Sequence, residues 1–252
     1  VMKSNVWAKA GIVIIYGSSI DASPHRHHAI QLIWPRDGNC CKLDDKQIST
    51  PILIGSNVEH QLQMDEGWIL LVEPSSELGV ALSQKLAGQP SRGFSSSLSA
   101  FKHSDKQSEQ TDDLTVLLSP LFKELELSNQ FPLKNETQVV DSRIKKLLLE
   151  LHQCLDGQCI KPNNWRASEV AQSLALSESR FLHLFSEELG IPWRPYLLWC
   201  RMICAVRAIL NGDSATDAAH LAGFSDSAHL SRTFRKTFGM TIRQANAIFR
   251  QG

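Results

Sequence analysis

Residues 223–239 read GFSDSAHLSRTFRKTFG. Leu230, Phe234 and Phe238 recur every four residues, the spacing that stacks side chains on one face of a helix. Ser227, Ala228, Ser231, Arg232 and Arg235 fall on the opposite face. A helix divided in this way buries one stripe and displays the other, and Gly239 directly after Phe238 supplies the usual stop. The use of the displayed face follows from what surrounds this helix.

An earlier stretch repeats it. EVAQSLALSESRFLHLFSEELG (169–190) and DAAHLAGFSDSAHLSRTFRKTFG (217–239) share an ordered set of features. In each, a small residue (Ala171, Ala219) precedes by four a second small one (Ala175, Gly223), followed by an apolar residue, a serine and a new helix. Each unit closes on Phe-x-x-x-Leu/Phe-Gly, at Phe185–Gly190 and Phe234–Gly239. This is a duplicated helix-turn-helix. The small residues are expected to let the two short helices of each unit cross closely, leaving the second helix on display. A displayed helix fits the major groove of DNA, about 12 Å wide.

The flanking sequence is also helical. DSRIKKLLLELHQCL starts after an Asp141 cap, ASEVAQSL is expected to be capped by Ser168, and SESRFLHLFSEELG by Ser177, with Gly190 closing it. RPYLLWCRMICAVRAIL reads as a long connecting helix ending at Asn211-Gly212, and TDAAHLAG as a short one.

Residues 11–73 have a different rhythm. GIVIIYG, AIQLIW, CCKLDD, ISTPILIG, HQLQM and GWILLVE read as short strands bounded by Gly, Pro, Asp or Asn, the spacing of an antiparallel barrel or sandwich. Then SELGVALSQKLAG and DDLTVLLSPLFKELEL read as helices, with the polar KHSDKQSEQTDD between them as a loop. Leu114, Leu117, Leu118, Leu121 and Leu125 form one stripe, which either packs on the strands or pairs with its copy in a homodimer. SNQFPLKNETQ (128–138) reads as a linker. The expected organisation is α+β: a β-barrel domain with flanking helices over 1–127, the linker, and an all-α domain over 139–252.

The chain carries no net charge, yet its parts differ. Residues 1–138 hold 12 Lys and Arg against 16 Asp and Glu, and residues 139–252 hold 14 against 10. A basic helical part points to a polyanionic partner. No stretch approaches the roughly 18–20 apolar residues of a membrane helix. The first residues lack the basic-then-apolar pattern of a signal peptide. The expected place is therefore the cytoplasm, and the six cysteines, none in a CxxC pair, are expected to be thiols.

Residues 139–250 resemble the DNA-binding domain of the AraC/XylS family of bacterial transcription regulators. GFSDSAHLSRTFRKTFG is close to that family's signature, and SRFLHLFSEELGIPWRPYLLWCRMICAVRAIL is similar to its first reading helix and connecting helix. The resemblance implies that the two units read successive major-groove segments on one face of double-stranded DNA, in association with the nucleoid. It also implies RNA polymerase as a partner and an activating role. Ser227, Ala228 and Arg232 align with the family's base-contacting positions, and Arg232 can bond guanine O6 and N7 together. Ser231 and Arg235 share that face. In the first unit the corresponding residues are Ser179, Leu182, suited to a thymine methyl, and His183; Arg180, Arg201, Arg235 and Lys236 are candidates for phosphates. The alternative use of these arginines is surface ion pairing with Glu187, Glu188 or Asp226. The chain departs from the family at Ile242, commonly proline, and at Ala218-Ala219, where the apolar pair is larger. Both changes are expected to loosen the second unit.

PHRHHAIQLIWPRDG (24–38) resembles the first cupin motif, with His25, His27 and, in the acidic position, Gln31; GSNVEH, ending at His60, is a partial second motif. Two readings stand: a divalent metal at His25, His27 and His60, or histidines lining a small-molecule effector pocket whose apolar wall comes from Ile33, Trp34 and Trp68. No Ser-His-Asp, nucleotide-loop or paired-carboxylate arrangement marks a catalytic centre. The function read from the sequence is an effector-responsive transcription regulator and not an enzyme. The alternative is a metal-dependent cupin enzyme with an appended helical domain.

Overall fold

The computed structural model describes residues 5–94, 114–127, 139–156 and 165–249. Two long antiparallel strands, β2 (Ile12–His25) and β7 (His60–Val72), pair from Ile12 opposite Val72 to His25 opposite His60. The other edge of β7 is shared. β3 (Ile30–Pro35) takes residues 67–72 and β4 (Cys41–Leu43) takes residues 62–64. The Asp65-Glu66-Gly67 interruption in the apolar pattern thus marks a change of neighbour, which is why two expected strands form one. β1 (Asn5–Lys9) pairs with β2, β5 (Lys46–Gln47) with β4, β6 (Ile52–Ile54) with β3, and β8 (Ser91–Gly93) with β6. The order is β1-β2-β7-β3-β6-β8, and the sheet does not close, so the expected barrel is a cupin-like open sheet.

Both faces of this sheet are covered. Ile14, Tyr16, Leu32, Trp34, Trp68 and Leu70 face α1 (Glu77–Leu86) and α2 (Leu114–Glu124). The whole leucine stripe of Leu114, Leu117, Leu118, Leu121 and Leu125 is buried there, which settles its use as packing on the sheet. Val13, Ile20, Leu62, Ile69 and Leu71 face the other way and join the core of the helical part. Strands buried on both faces carry continuous apolar runs, as IVII and WILLV do.

The helical part comprises α3 (Ser142–Asp156), α4 (Ala167–Ser173), α5 (Glu178–Leu189), α6 (Trp193–Leu210), α7 (Ala215–Leu221), α8 (Ser227–Phe238) and α9 (Ile242–Phe249). Asp141 caps α3, accepting from Arg143 N–H at 2.9 Å, and Ser177 caps α5. Ser168 does not cap α4. The helix begins at Ala167 after an extended Arg166, and entry is fixed instead by Trp193, whose indole N–H donates to the Trp165 carbonyl at 3.3 Å. The connecting helix α6 is buried along most of its length. Phe181, Phe185, Trp193 and Tyr196 form one aromatic cluster joining α5 to it.

The halves touch. α6 packs against β1, and α8 and α9 pack against β2. Cys40, Cys41 and Cys200 are thiols, as expected, whereas Cys204 is disulfide-bonded, contrary to that expectation. Residues 102–113 and 128–138, read as loop and linker, lie outside the described residues. Among the described residues no helix is long and apolar enough to cross a membrane.

Candidate nucleic-acid interface

Both expected units are present, as α4–turn–α5 and α7–turn–α8. Ala171 and Ala219 are fully buried where the paired helices cross. Ala175 and Gly223 have a different role from the one their size suggested: both sit in the turn at positive φ, +54° and +78°. Their smallness serves left-handed turn backbone, and Ala175 is itself exposed. Ala218 and Ala219 are both completely buried against α6 and α8. α9 begins without the family's proline, but Thr241 and Gln244 cap it reciprocally. Thr241 N–H donates to Gln244 Oε1 at 2.8 Å, and Gln244 N–H to Thr241 Oγ1 at 3.2 Å.

α8 holds its inner face by Leu230 and Phe234, both buried. Its outer face displays Ala228, Ser231, Arg232 and Arg235 to solvent, with Ser227 half-buried at the N-terminus. Asp226, which the sequence reading considered only as an ion-pair partner, is the N-cap: its Oδ1 accepts from His229 N–H at 2.7 Å. The signal was present as Ser225-Asp226 directly before the helix. α5 is built alike, with Phe181, Leu184 and Phe185 inside, Ser179, Arg180 and His183 exposed, and Leu182 half-buried.

The ion-pairing alternative distinguishes among the arginines. Arg180 approaches Glu187 at 3.9 Å with both side chains largely exposed, a contact worth about 0–1 kcal/mol. Glu188 instead accepts from the Val140 and Asp141 backbone. Among the described residues, Arg232 and Arg235 have no ion-pair partner. Arg201 is half-buried beneath Gly223, a position suited to supporting the turn.

The four residues singled out in the strand half come together. His25, His27 and His60 are buried, with potential ligand atoms all within 4.8 Å of one another. Gln31 Oε1 lies 2.8 Å from His27 Nε2 and 3.2 Å from His60 Nε2. Each imidazole also places Nδ1 on a backbone carbonyl: His25 on Ser23 at 2.8 Å, His27 on Ala29 at 2.9 Å, His60 on Val58 at 3.0 Å. A carbonyl only accepts, so each Nδ1 is the protonated nitrogen and each neutral ring keeps its lone pair on Nε2. Burial holds the rings neutral, lowering His25 to about 4, His27 to about 3, and His60 below its ordinary value. Three imidazole lone pairs and an amide oxygen are a donor set that fits a divalent transition metal.

A cavity of about 60 Å³ adjoins this cluster, lined by His25, His27 and Gln31, by Val13 and Leu71 of the sheet, and by Phe234 and Phe238 of α8. Trp34 and Trp68 do not line it. Alternation along β3 sends Gln31 to one face of the sheet and Trp34 to the other, where it meets Trp68 under α1 and α2. Sequence reasoning missed that the cavity is walled by both halves, because contact between distant segments leaves no periodic trace.

The junction is tight at Gly239, the C-cap of α8. Ser23 N–H donates to its carbonyl at 2.9 Å, and a Cβ there would stand 2.3 Å from Ser23 O. Gly190 ends α5 with the same φ, +69°, but has nothing within 4 Å. Gly190→Ala is therefore expected to lower stability by about 1 kcal/mol from backbone strain alone. Gly239→Ala adds overpacking and is expected to cost about 2–4 kcal/mol in urea unfolding. Equal losses would show that the Ser23 contact contributes nothing.

Residues 170–247 match the family model described as helix-turn-helix domain. Over 82 residues the chain is 33% identical to the virulence regulon transcriptional activator VirF of Yersinia enterocolitica, covering 32% of this chain and 30% of that protein. It is 30% identical over 80 residues to the HTH-type transcriptional regulator ExsA of Pseudomonas aeruginosa (31% and 29%). With the transcriptional activator NphR of Rhodococcus sp the identity is 38% over 73 residues (29% and 22%). The match thus spans 22–30% of the length of these relatives. Across nearly the whole chain the fold is similar to that of ToxT from Vibrio cholerae strain SCE256. An apo variant gives a TM-score of 0.55 at 13% identity, covering 95% of this chain and 98% of that one. The unsaturated-fatty-acid-bound wild type gives 0.52 at 14%, covering 98% of each.

Proposed function

We propose that this chain is a member of the AraC/XylS family through its double helix-turn-helix domain and acts as a sequence-specific, effector-responsive transcriptional activator. The observation that carries this is the pair of structurally equivalent helices α5 and α8. Each is pinned by a buried Phe and each turns a row of polar side chains outward. Ser179, Leu182, His183, Ser227, Ala228, Ser231 and Arg232 read base edges, and Arg180 and Arg235 hold phosphates. The matched relatives are transcription regulators, which supports the activating role and, with it, RNA polymerase as a partner and residence in the cytoplasm. No reaction is assigned to the chain.

The effector site in this reading is the cavity between sheet and α8, because an ion or very small ligand there contacts both halves and can favour one arrangement of them over another. A homodimer, if formed, uses a surface other than the α2 stripe, which is already buried. Selection from a random duplex pool at stated salt tests the proposal. The expected outcome is an enriched motif bound at least about a thousandfold tighter than random competitor. A pool that stays random overturns it.

A further inference from the structure

We propose that His25, His27 and His60, with the Gln31 amide oxygen as a further donor, bind one divalent transition-metal ion, and that this ion clamps the second helix-turn-helix onto the sheet. The clamp rests on the regulator reading for its effect on DNA; the binding of the ion does not.

The strand register builds the site. His25 and His60 are directly opposed across β2 and β7, and their ring centroids are 4.3 Å apart. His27 follows two residues on, 5.5 Å from His60, and Gln31 reaches in from β3. Every Nδ1–H is already used on a backbone carbonyl, which orients each ring and directs its Nε2 lone pair to a common space; backbone carbonyls play this same orienting role for metal-bound histidines. The Gln31 amide faces two of those lone pairs, to which its NH2 can donate, and a half-turn of the amide presents its oxygen to a cation instead. A four-coordinate ion with bonds of about 2.0–2.1 Å needs donors roughly 3.3 Å apart, so donors within 4.8 Å close on it by small ring movements. Imidazoles without carboxylate or thiolate select zinc, cobalt, nickel or copper over magnesium and calcium. The adjoining 60 Å³ holds water or a small co-ligand, well below the roughly 300 Å³ of an ordinary organic-ligand pocket.

The site is joined to the reading helix by a short path. His25 Nδ1–H donates to the Ser23 carbonyl, and Ser23 N–H donates to the Gly239 carbonyl at the end of α8. Phe234 and Phe238, the anchors of α8, line the cavity beside His25 and His27. An ion that fixes His25 fixes the segment on which α8 rests, and by linkage whatever α8 binds feels the ion.

The full-length chain, stripped by chelator and dialysed, would be titrated with Zn²⁺ by calorimetry and with Co²⁺ by visible absorption, alongside His60→Ala, His27→Ala and Gln31→Glu. One ion per chain is expected, with the intense visible bands of a four-coordinate Co²⁺ site. Affinity should fall about tenfold or more in each histidine variant and rise in Gln31→Glu, which keeps all three rings and adds a carboxylate. Circular dichroism of the metal-free variants checks that each is folded. Zn²⁺ should change the affinity for the selected duplex in the wild type and leave it unchanged in His60→Ala. Equal metal uptake by wild type and His60→Ala, or none by either, overturns the site. One ion bound with no change in DNA affinity overturns the clamp. Absence of DNA binding in both metal states counts against the regulator reading, while calorimetry still decides the site.

Discussion

Phe185→Ala is expected to lower the unfolding free energy by about 3–5 kcal/mol, read from urea denaturation. Its ring is fully buried, 5.8 Å from Phe181, 5.0 Å from Trp193 and 5.3 Å from Tyr196. Truncation opens a cavity among three large rings whose positions are fixed by two helices, so collapse around it is limited. The same cluster joins α5 to α6, and α6 carries the second unit through α7. The DNA affinity of both units is therefore expected to fall together. A loss below about 1 kcal/mol would show that the aromatic anchor is not what holds the first reading helix.

Arg232→Ala is expected to cost about 1–3 kcal/mol of DNA binding, concentrated at one base pair, while leaving the fold intact. Arg232 is exposed, is on the displayed face of α8 and has no ion-pair partner among the described residues. Its guanidinium is therefore available to a base without breaking an existing pair. Binding to the selected site and to single-base variants separates two outcomes. Relaxed preference at one position supports base reading, and uniform weakening across all sequences assigns Arg232 to phosphate instead. Arg235→Ala is the companion measurement, for which the uniform result is expected.

The helical half was legible because its signals are local. Four-residue spacing, Ser177, Gly190 and Gly239 place α5 and α8 without reference to the rest of the chain. Where a local rule failed, a long-range contact had overridden it: Trp193 reaching Trp165 sets the start of α4, and Ser168 is left in the first turn. In the strand half the elements were visible but their partners were not. β7 looked like two strands because its neighbour changes at Asp65-Glu66, and the closed barrel was an inference from turn spacing that the pairing of β1 and β8 does not complete. The histidine cluster was readable from alternation along His25 and His27 and a convergent His60. Its wall was not, because Phe234 and Phe238 come from more than 170 residues away.

Hydroxyl-radical footprinting of the selected duplex addresses most directly whether α5 and α8 enter successive major grooves. Two protected stretches on one face of the DNA, about one helical turn or roughly 34 Å apart, are predicted, with His183→Ala weakening one and Arg232→Ala the other. A single protected stretch, or two that respond alike to both substitutions, would contradict the assignment of one reading helix to each.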